Sequence, residues 1–229
     1  IAIKECNGKI PVIAGTGSNS TDEAIELSQF AEKAGSDALL VVTPYYNKPT
    51  QEGLYQHYKK INDSVGIPII IYNIPSRSVI DMSVETMSKL YELKNITGVK
   101  DATGDLKRVD QQLKAMGKDF IQLTGNDDNA LEFNKRGGVG AIGVTANIAA
   151  KMSSDFQKAC EQKNGEAESL DKLLQPLHSA LFIESNPSPV KYAASLLGMC
   201  NPSVRLPLVE IKEETKKKVS EALKVAKLL

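Results

Sequence analysis

Ile67-Pro68-Ile69-Ile70-Ile71-Tyr72-Asn73 is apolar without alternation until it ends in a phenol and an amide. An unbroken apolar run of this length suits a strand buried on both faces, as in a parallel sheet covered by crossover helices. Five further runs have the same character: Pro11–Ala14, Ala38–Val42, Ile96–Val99, Phe120–Leu123 and Gly140–Val144. Their polar ends fall near Gly15, Thr43, Tyr72, Lys100, Gly125 and Thr145, in steps of 28, 29, 28, 25 and 20 residues. That spacing is the period of a strand-plus-helix unit. The intervening stretches supply helix signals, since Ser20-Thr21-Asp22-Glu23 opens a helix running to about Ala34, with Gly35 placed to stop it. Ser83 likewise precedes Val84–Leu93, and Asp105 precedes Leu106–Met116. After Thr145 the alternation ceases and four helices are expected, over about 148–163, 165–182, 187–197 and 211–228.

Two architectures accommodate six parallel strands: a (β/α)8 barrel and an open doubly wound sheet. Gly15-Thr16-Gly17 follows a strand, but nothing completes a dinucleotide-binding fingerprint, which weighs against the doubly wound sheet. The fold class is therefore read as α/β, a TIM (β/α)8 barrel with a C-terminal helical extension. Residues 1–147 form the barrel portion, and 148–229 the last barrel helix and the helical region. Six strands fall two short of eight and Ile1–Cys6 reads as the tail of a helix, so the first two βα units are expected to be missing from the chain.

The chemistry stands at the strand ends. Lys100 closes the run Ile96-Thr97-Gly98-Val99, while Tyr72 and, five residues on, Arg77 follow the preceding strand. If those strands are parallel neighbours, amine, phenol and guanidinium share one pocket. A desolvated amine is a nucleophile toward carbonyl carbon and forms a Schiff base. A phenol relays protons, and an arginine holds a carboxylate. The bland reading, a snorkelling lysine beside a structural tyrosine, stays open on spacing alone. Thr43-Pro44-Tyr45-Tyr46-Asn47-Lys48-Pro49 is a second dense cluster, in which neighbouring side chains diverge, so one tyrosine faces a pocket and the other a neighbour or subunit interface, unless both simply pack on a rim. Asp101–Asp105 reads as a turn and helix cap. Asp127 and Asp128 are too few for a cation cage, and helix capping is the expectation there.

Composition narrows the partners. The 229 residues suit one barrel domain, and 28 basic against 28 acidic residues leave no electrostatic footprint for nucleic acid or an anionic membrane. Three scattered cysteines, Cys6, Cys160 and Cys200, read as reduced thiols, and two histidines in unrelated segments, His57 and His178, do not make a metal centre. There is no apolar run of about 18 residues and no leader pattern, so a cytoplasmic protein with a small-molecule partner, no metal and no cofactor is expected.

Six segments carry a resemblance: Val42–Asn47, Tyr72–Arg77, Val99–Gly104, Gly125–Asp128, Val144–Asn147 and Asn186–Lys191. In order, from about Lys9 to Leu229, they resemble the dihydrodipicolinate synthase family of pyruvate-dependent class I aldolases. That resemblance implies a lysine Schiff base that condenses pyruvate with aspartate semialdehyde on the way to lysine and diaminopimelate. It implies Lys100 as the pyruvate-binding lysine, Tyr72 and Tyr46 as proton-relay phenols, and Arg77 as the receptor of the semialdehyde carboxylate. Ile142 presents backbone to pyruvate, and Gly125 belongs to the substrate site. Gly17, Asn19, Glu23 and Tyr45 match an allosteric site for lysine as feedback inhibitor. Because the matching tyrosine reaches a neighbouring subunit's site, a dimer at least is implied, and a homo-oligomer built as a dimer of dimers is expected from the resemblance. The family's Gly-Thr-Thr-Gly-Glu segment, a source of a relay threonine and of the pyruvate carboxylate site, is absent from this chain. A chain truly truncated there is expected to fold poorly and turn over little. Arg77 favours a short acceptor over the sugar acids used by N-acetylneuraminate lyase-like relatives; a non-catalytic barrel remains the third reading.

Overall fold

The computed structural model describes residues 1–229 as two compact units. The first comprises Ile1–Gly125 and Arg136–Ala141, the second Asn126–Lys135 and Ile142–Leu229.

The first unit is built on six strands, β1 (Ile13–Gly15), β2 (Ala38–Val42), β3 (Ile69–Asn73), β4 (Ile96–Asp101), β5 (Ile121–Thr124) and β6 (Gly140–Ala141). All neighbours are parallel and the spatial order is the chain order, β1-β2-β3-β4-β5-β6. A doubly wound sheet needs a reversal of strand order, and there is none. The fold is of the TIM-barrel class.

Between the strands lie α2 (Thr21–Lys33), α3 (Gln51–Ser64), the single turn α4 (Pro75–Ser78), α5 (Val84–Tyr91) and α6 (Lys107–Met116), preceded by α1 (Ala2–Cys6). The Ser20, Thr50 and Ser83 side chains each accept from the amide three residues on, at the starts of α2, α3 and α5. Leu39, Val41, Ile69, Ile71 and Val99 pack with Leu54, Tyr58, Ile61, Met87 and Leu90 into one core between sheet and helices. Burying each such side chain contributes roughly 1.5–3 kcal/mol.

Strand limits follow the donors. Pro68 has no N–H, so β3 begins at Ile69 rather than at Ile67. The Val12 amide donates to the Asp37 carboxylate at 2.7 Å, and β1 starts after it. The sequence places β6 over Gly140–Val144, yet the strand stops at Ala141. In the second unit, the Val144 and Thr145 amides donate to Asp127 Oδ2 at 2.6 and 3.0 Å and so are withheld from any ladder.

The second unit contains α7 (Ala130–Lys135), α8 (Ala150–Gln162), α9 (Glu166–Ala180), α10 (Ser188–Leu196) and α11 (Glu213–Val225). Phe156, Ala159, Leu174, Leu177, Val219 and Leu223 are buried on these helices. No helix in the chain is long and apolar enough to cross a membrane.

His57 on α3 links that helix to α2, its Nδ1 lying 2.9 Å from the Thr21 hydroxyl. Burial lowers its pKa to about 4. The unfolded chain, with an ordinary value of about 6.5, binds the proton first, so this group's contribution is complete above pH 6.5 and lost as pH falls toward 4. Between pH 7 and pH 5 the loss is roughly 2 kcal/mol. Urea unfolding of His57→Gln at the two pH values should show an acid destabilisation smaller by about that amount; equal slopes for parent and variant would refute it.

Candidate active site

Tyr72 and Lys100 are register partners on β3 and β4. Side chains at opposed positions of neighbouring strands leave the sheet on the same face, and here the Lys100 Nζ stands 4.0 Å from the centroid of the Tyr72 ring. Lys100 is buried, with 9% of its surface exposed, in a strand whose last four residues are all buried. Gly125, at the end of β5, gives the amine its space. A Cβ there would lie 3.1 Å from Lys100 Cε and 2.6 Å from the Ala102 methyl. The Gly125 amide also donates to the Asp101 carbonyl at 2.7 Å, extending the ladder one step beyond β5.

Beside this pair opens a cavity of about 360 Å³, whose lining includes Tyr72, Arg77, Gly17, Val42 and Tyr45. Burial raises the pKa of the Tyr72 phenol, and the Arg77 charge works in the opposite direction. The phenol is therefore a proton donor at neutral pH. Arg77 rides on α4, which is held by Ser78: its Oγ lies 2.9 Å from the Ile74 carbonyl and accepts from Thr43 Oγ1 at 3.2 Å. Strand β2 and the arginine's turn are thereby joined.

The adjacent tyrosines diverge, through a left-handed backbone at Tyr46 rather than the extended one the succession suggested. Tyr45 reaches the cavity, while Tyr46 is 89% exposed and sits at φ 72°, in the left-handed region. Gly17 and Tyr45 border the same cavity as Tyr72 and Arg77. The Asn19 carbonyl accepts from Asn47 Nδ2 at 2.9 Å, and the Glu23 carboxylate takes the Ser18 hydroxyl. Ile142 follows β6 and belongs to the second unit, in the turn closed by Asp127. Asp127 corrects the helix-cap expectation: its carboxylate binds the Val144 and Thr145 amides, and the short 3₁₀ turn Asp127–Asn129 has no side-chain cap.

A ring of polar groups on the other face of the sheet was not anticipated. Asp101 ends β4 instead of opening a turn, and its carboxylate accepts four bonds: Thr103 N at 2.9 Å, Thr103 Oγ1 at 2.6 Å, Arg108 Nε at 3.0 Å and Gln112 Nε2 at 3.1 Å. Arg108 continues to Asp81 Oδ2 at 3.3 Å and the Met82 carbonyl at 2.7 Å. Asn73 closes the circuit, donating to Asp81 Oδ1 at 2.7 Å and accepting from Met82 N at 3.0 Å. The signal for it was a polar residue directly after each chemical one, Asn73 after Tyr72 and Asp101 after Lys100.

An amine packed on a phenol, beside a cavity that an arginine borders, thus stands at the C-terminal ends of parallel strands, the end at which α/β barrels carry their sites. The chain belongs to the dihydrodipicolinate synthetase family, whose profile matches residues 1–226. It is 71% identical over 233 residues to the 4-hydroxy-tetrahydrodipicolinate synthase of Pelagibacter ubique, covering 100% of this chain and 80% of that protein. Among solved structures, the dihydrodipicolinate synthase of Acinetobacter baumannii, complexed with pyruvate, superposes with a TM-score of 0.96 at 46% identity, over 99% of this chain and 78% of that one. The enzyme from Cyanidioschyzon merolae, with lysine bound, superposes with a TM-score of 0.94 at 35% identity, over 99% and 78%.

Proposed function

We propose that this chain is a lyase of the class I aldolase type that condenses pyruvate with L-aspartate 4-semialdehyde to 4-hydroxy-tetrahydrodipicolinate. The observation that carries the reading is the buried Lys100 amine over the Tyr72 ring, beside the cavity that Arg77 borders. Lys100 attacks the ketone carbon, forming a C–N bond; Tyr72 gives its proton to the departing hydroxyl, and water leaves. Loss of a methyl proton to the relay phenols turns the imine into an enamine. The enamine carbon then attacks the aldehyde, whose oxygen takes up the proton. The amino group of the semialdehyde finally attacks the imine carbon, closing the ring and releasing Lys100. The protonated imine is the electron sink throughout.

Arg77 offers the semialdehyde carboxylate a planar fork of donors. Tyr46, 89% exposed, completes the relay in a second copy of the chain, a role that requires a dimer at least; the assembly proposed is a cytoplasmic homotetramer, a dimer of dimers. Gly125 contributes to the pyruvate site. Gly17, Asn19, Glu23 and Tyr45 take lysine as a feedback inhibitor, in keeping with the lysine-bound relative.

Incubating the protein carrying this chain with pyruvate and borohydride, then mapping the modified peptide, tests the reading. A reduced adduct on Lys100 is expected, and a folded, unmodified protein would overturn it. Arg77→Ala should leave trapping intact while lowering kcat/KM for the semialdehyde by about 10- to 100-fold, the worth of a charge-assisted fork. Equal losses in trapping and turnover would place Arg77 elsewhere in the reaction.

A further inference from the structure

We infer that the ring Asp101–Arg108–Asp81–Asn73 is a positioning assembly that sets the distance between Lys100 and Tyr72; the inference rests on the Schiff-base reading of that pair. Asn73 and Asp101 are register partners, each one residue past the phenol and the amine. Successive strand residues face opposite sides, so the ring grips β3 and β4 from behind at the rung next to the chemistry. The Ala102 amide, donating to the Asn73 carbonyl at 2.9 Å, ties the same two strand ends through the backbone.

The ring's composition exceeds what holding a sheet requires. Asn73, Asp101, Arg108 and Gln112 are all buried, at 0%, 5%, 9% and 0% exposure, and their neighbours include the fully buried Met82, whose carbonyl meets Arg108, and Met87, whose sulfur meets Gln112. Apolar side chains of similar volume would hold two helices on a sheet at least as firmly as a buried ion pair. A planar guanidinium with three separately directed bonds instead specifies angles. Here those bonds reach the end of β4, the Asp81 side chain and the Met82 carbonyl. Asp81 and Met82 lie just beyond α4, which carries Arg77, so one guanidinium references the amine, the phenol and the carboxylate-binding arginine to each other.

The test separates positioning from mere folding by counting live sites. Pyruvate and borohydride label each competent Lys100 once, so turnover can be expressed per trappable site. For Arg108→Met, turnover per trappable site should fall about 10²-fold, the cost of an ångström-scale misplacement, with the KM for pyruvate within about 3-fold of the parent. Arg108→Lys keeps the charge but not the fork, and should recover thermal stability more fully than turnover. A variant that loses trappable sites while the remaining ones turn over normally would show a purely structural ring and overturn the inference. Should Arg108→Met fail to fold, Asp81→Asn, at a half-exposed position, carries the test: a several-fold fall per trappable site is expected, and an unchanged value overturns the proposal. A parent protein that traps no pyruvate refutes the Schiff-base reading instead.

Discussion

Lys100→Ala abolishes the pyruvate–borohydride adduct and lowers kcat/KM by at least about 10³-fold, or roughly 4 kcal/mol of transition-state stabilisation. The size of the loss follows from the proposed Schiff-base reading, in which the amine is the nucleophile and the protonated imine it forms is the electron sink. Tyr72, the side chain packed against it, is a phenol whose raised pKa keeps it protonated and so unable to substitute as an attacking group. Lys100→Met retains most of the stem over the Tyr72 ring and lacks only the amine, so it should keep the parent's circular dichroism and remain equally dead. Turnover in either variant above about 1% of the parent would remove Lys100 from the centre of the chemistry.

The largest effect on stability is expected two residues earlier. Gly98 lies opposite Ile121 in the β4–β5 pair, and a Cβ on it would stand 2.3 Å from the Ile121 carbonyl oxygen and 2.6 Å from the Ile121 Cβ. The obstacle is backbone within a ladder, which cannot rotate aside as a side chain can. Gly98→Ala therefore forces β5 away from β4, at the upper end of the overpacking range, about 3 kcal/mol. For a chain of this length that corresponds to a fall in Tm of roughly 6–12 °C, measurable by differential scanning calorimetry. An unchanged Tm would mean that the two strands do not approach as described. Because positions 98 and 100 share a face, the displacement also reaches Lys100, and the surviving folded fraction should trap pyruvate more slowly.

The juxtaposition of Lys100 and Tyr72 was legible in the sequence because a lysine and a tyrosine at the ends of apolar strands oppose the expectation from burial. Their adjacency then needed only the parallel order that the regular spacing implied. The ring behind them was less legible. Asp101 within Asp101-Ala102-Thr103-Gly104-Asp105 has the composition of a turn, yet it pairs with Asn73 and Thr124 as a strand residue, and its carboxylate meets the Arg108 guanidinium arriving from α6, a partner that local pattern does not reveal. Asp127 is a similar case. A carboxylate beside a helix start suggests a cap, but its partners are amides 17 and 18 residues further on. Strand limits failed for the same reason at β6, where a side chain took the amides that the ladder needed. Side chains that bind backbone far along the chain escape a reading based on periodicity.

The sequential strand order has a consequence for how the chain comes into being. Each strand finds its partner in the next one made, only 20 to 30 residues later. Closing such short loops costs little more entropy than closing shorter ones. During synthesis at several residues per second, β2 can dock on β1, and β3 on β2, within seconds of emerging, each addition covering the row of unpaired N–H and C=O groups left by the last. Each new strand therefore presents a fresh edge until the next arrives, and a pause in translation between two strands prolongs the exposure of that edge to the chaperones and neighbouring chains around it.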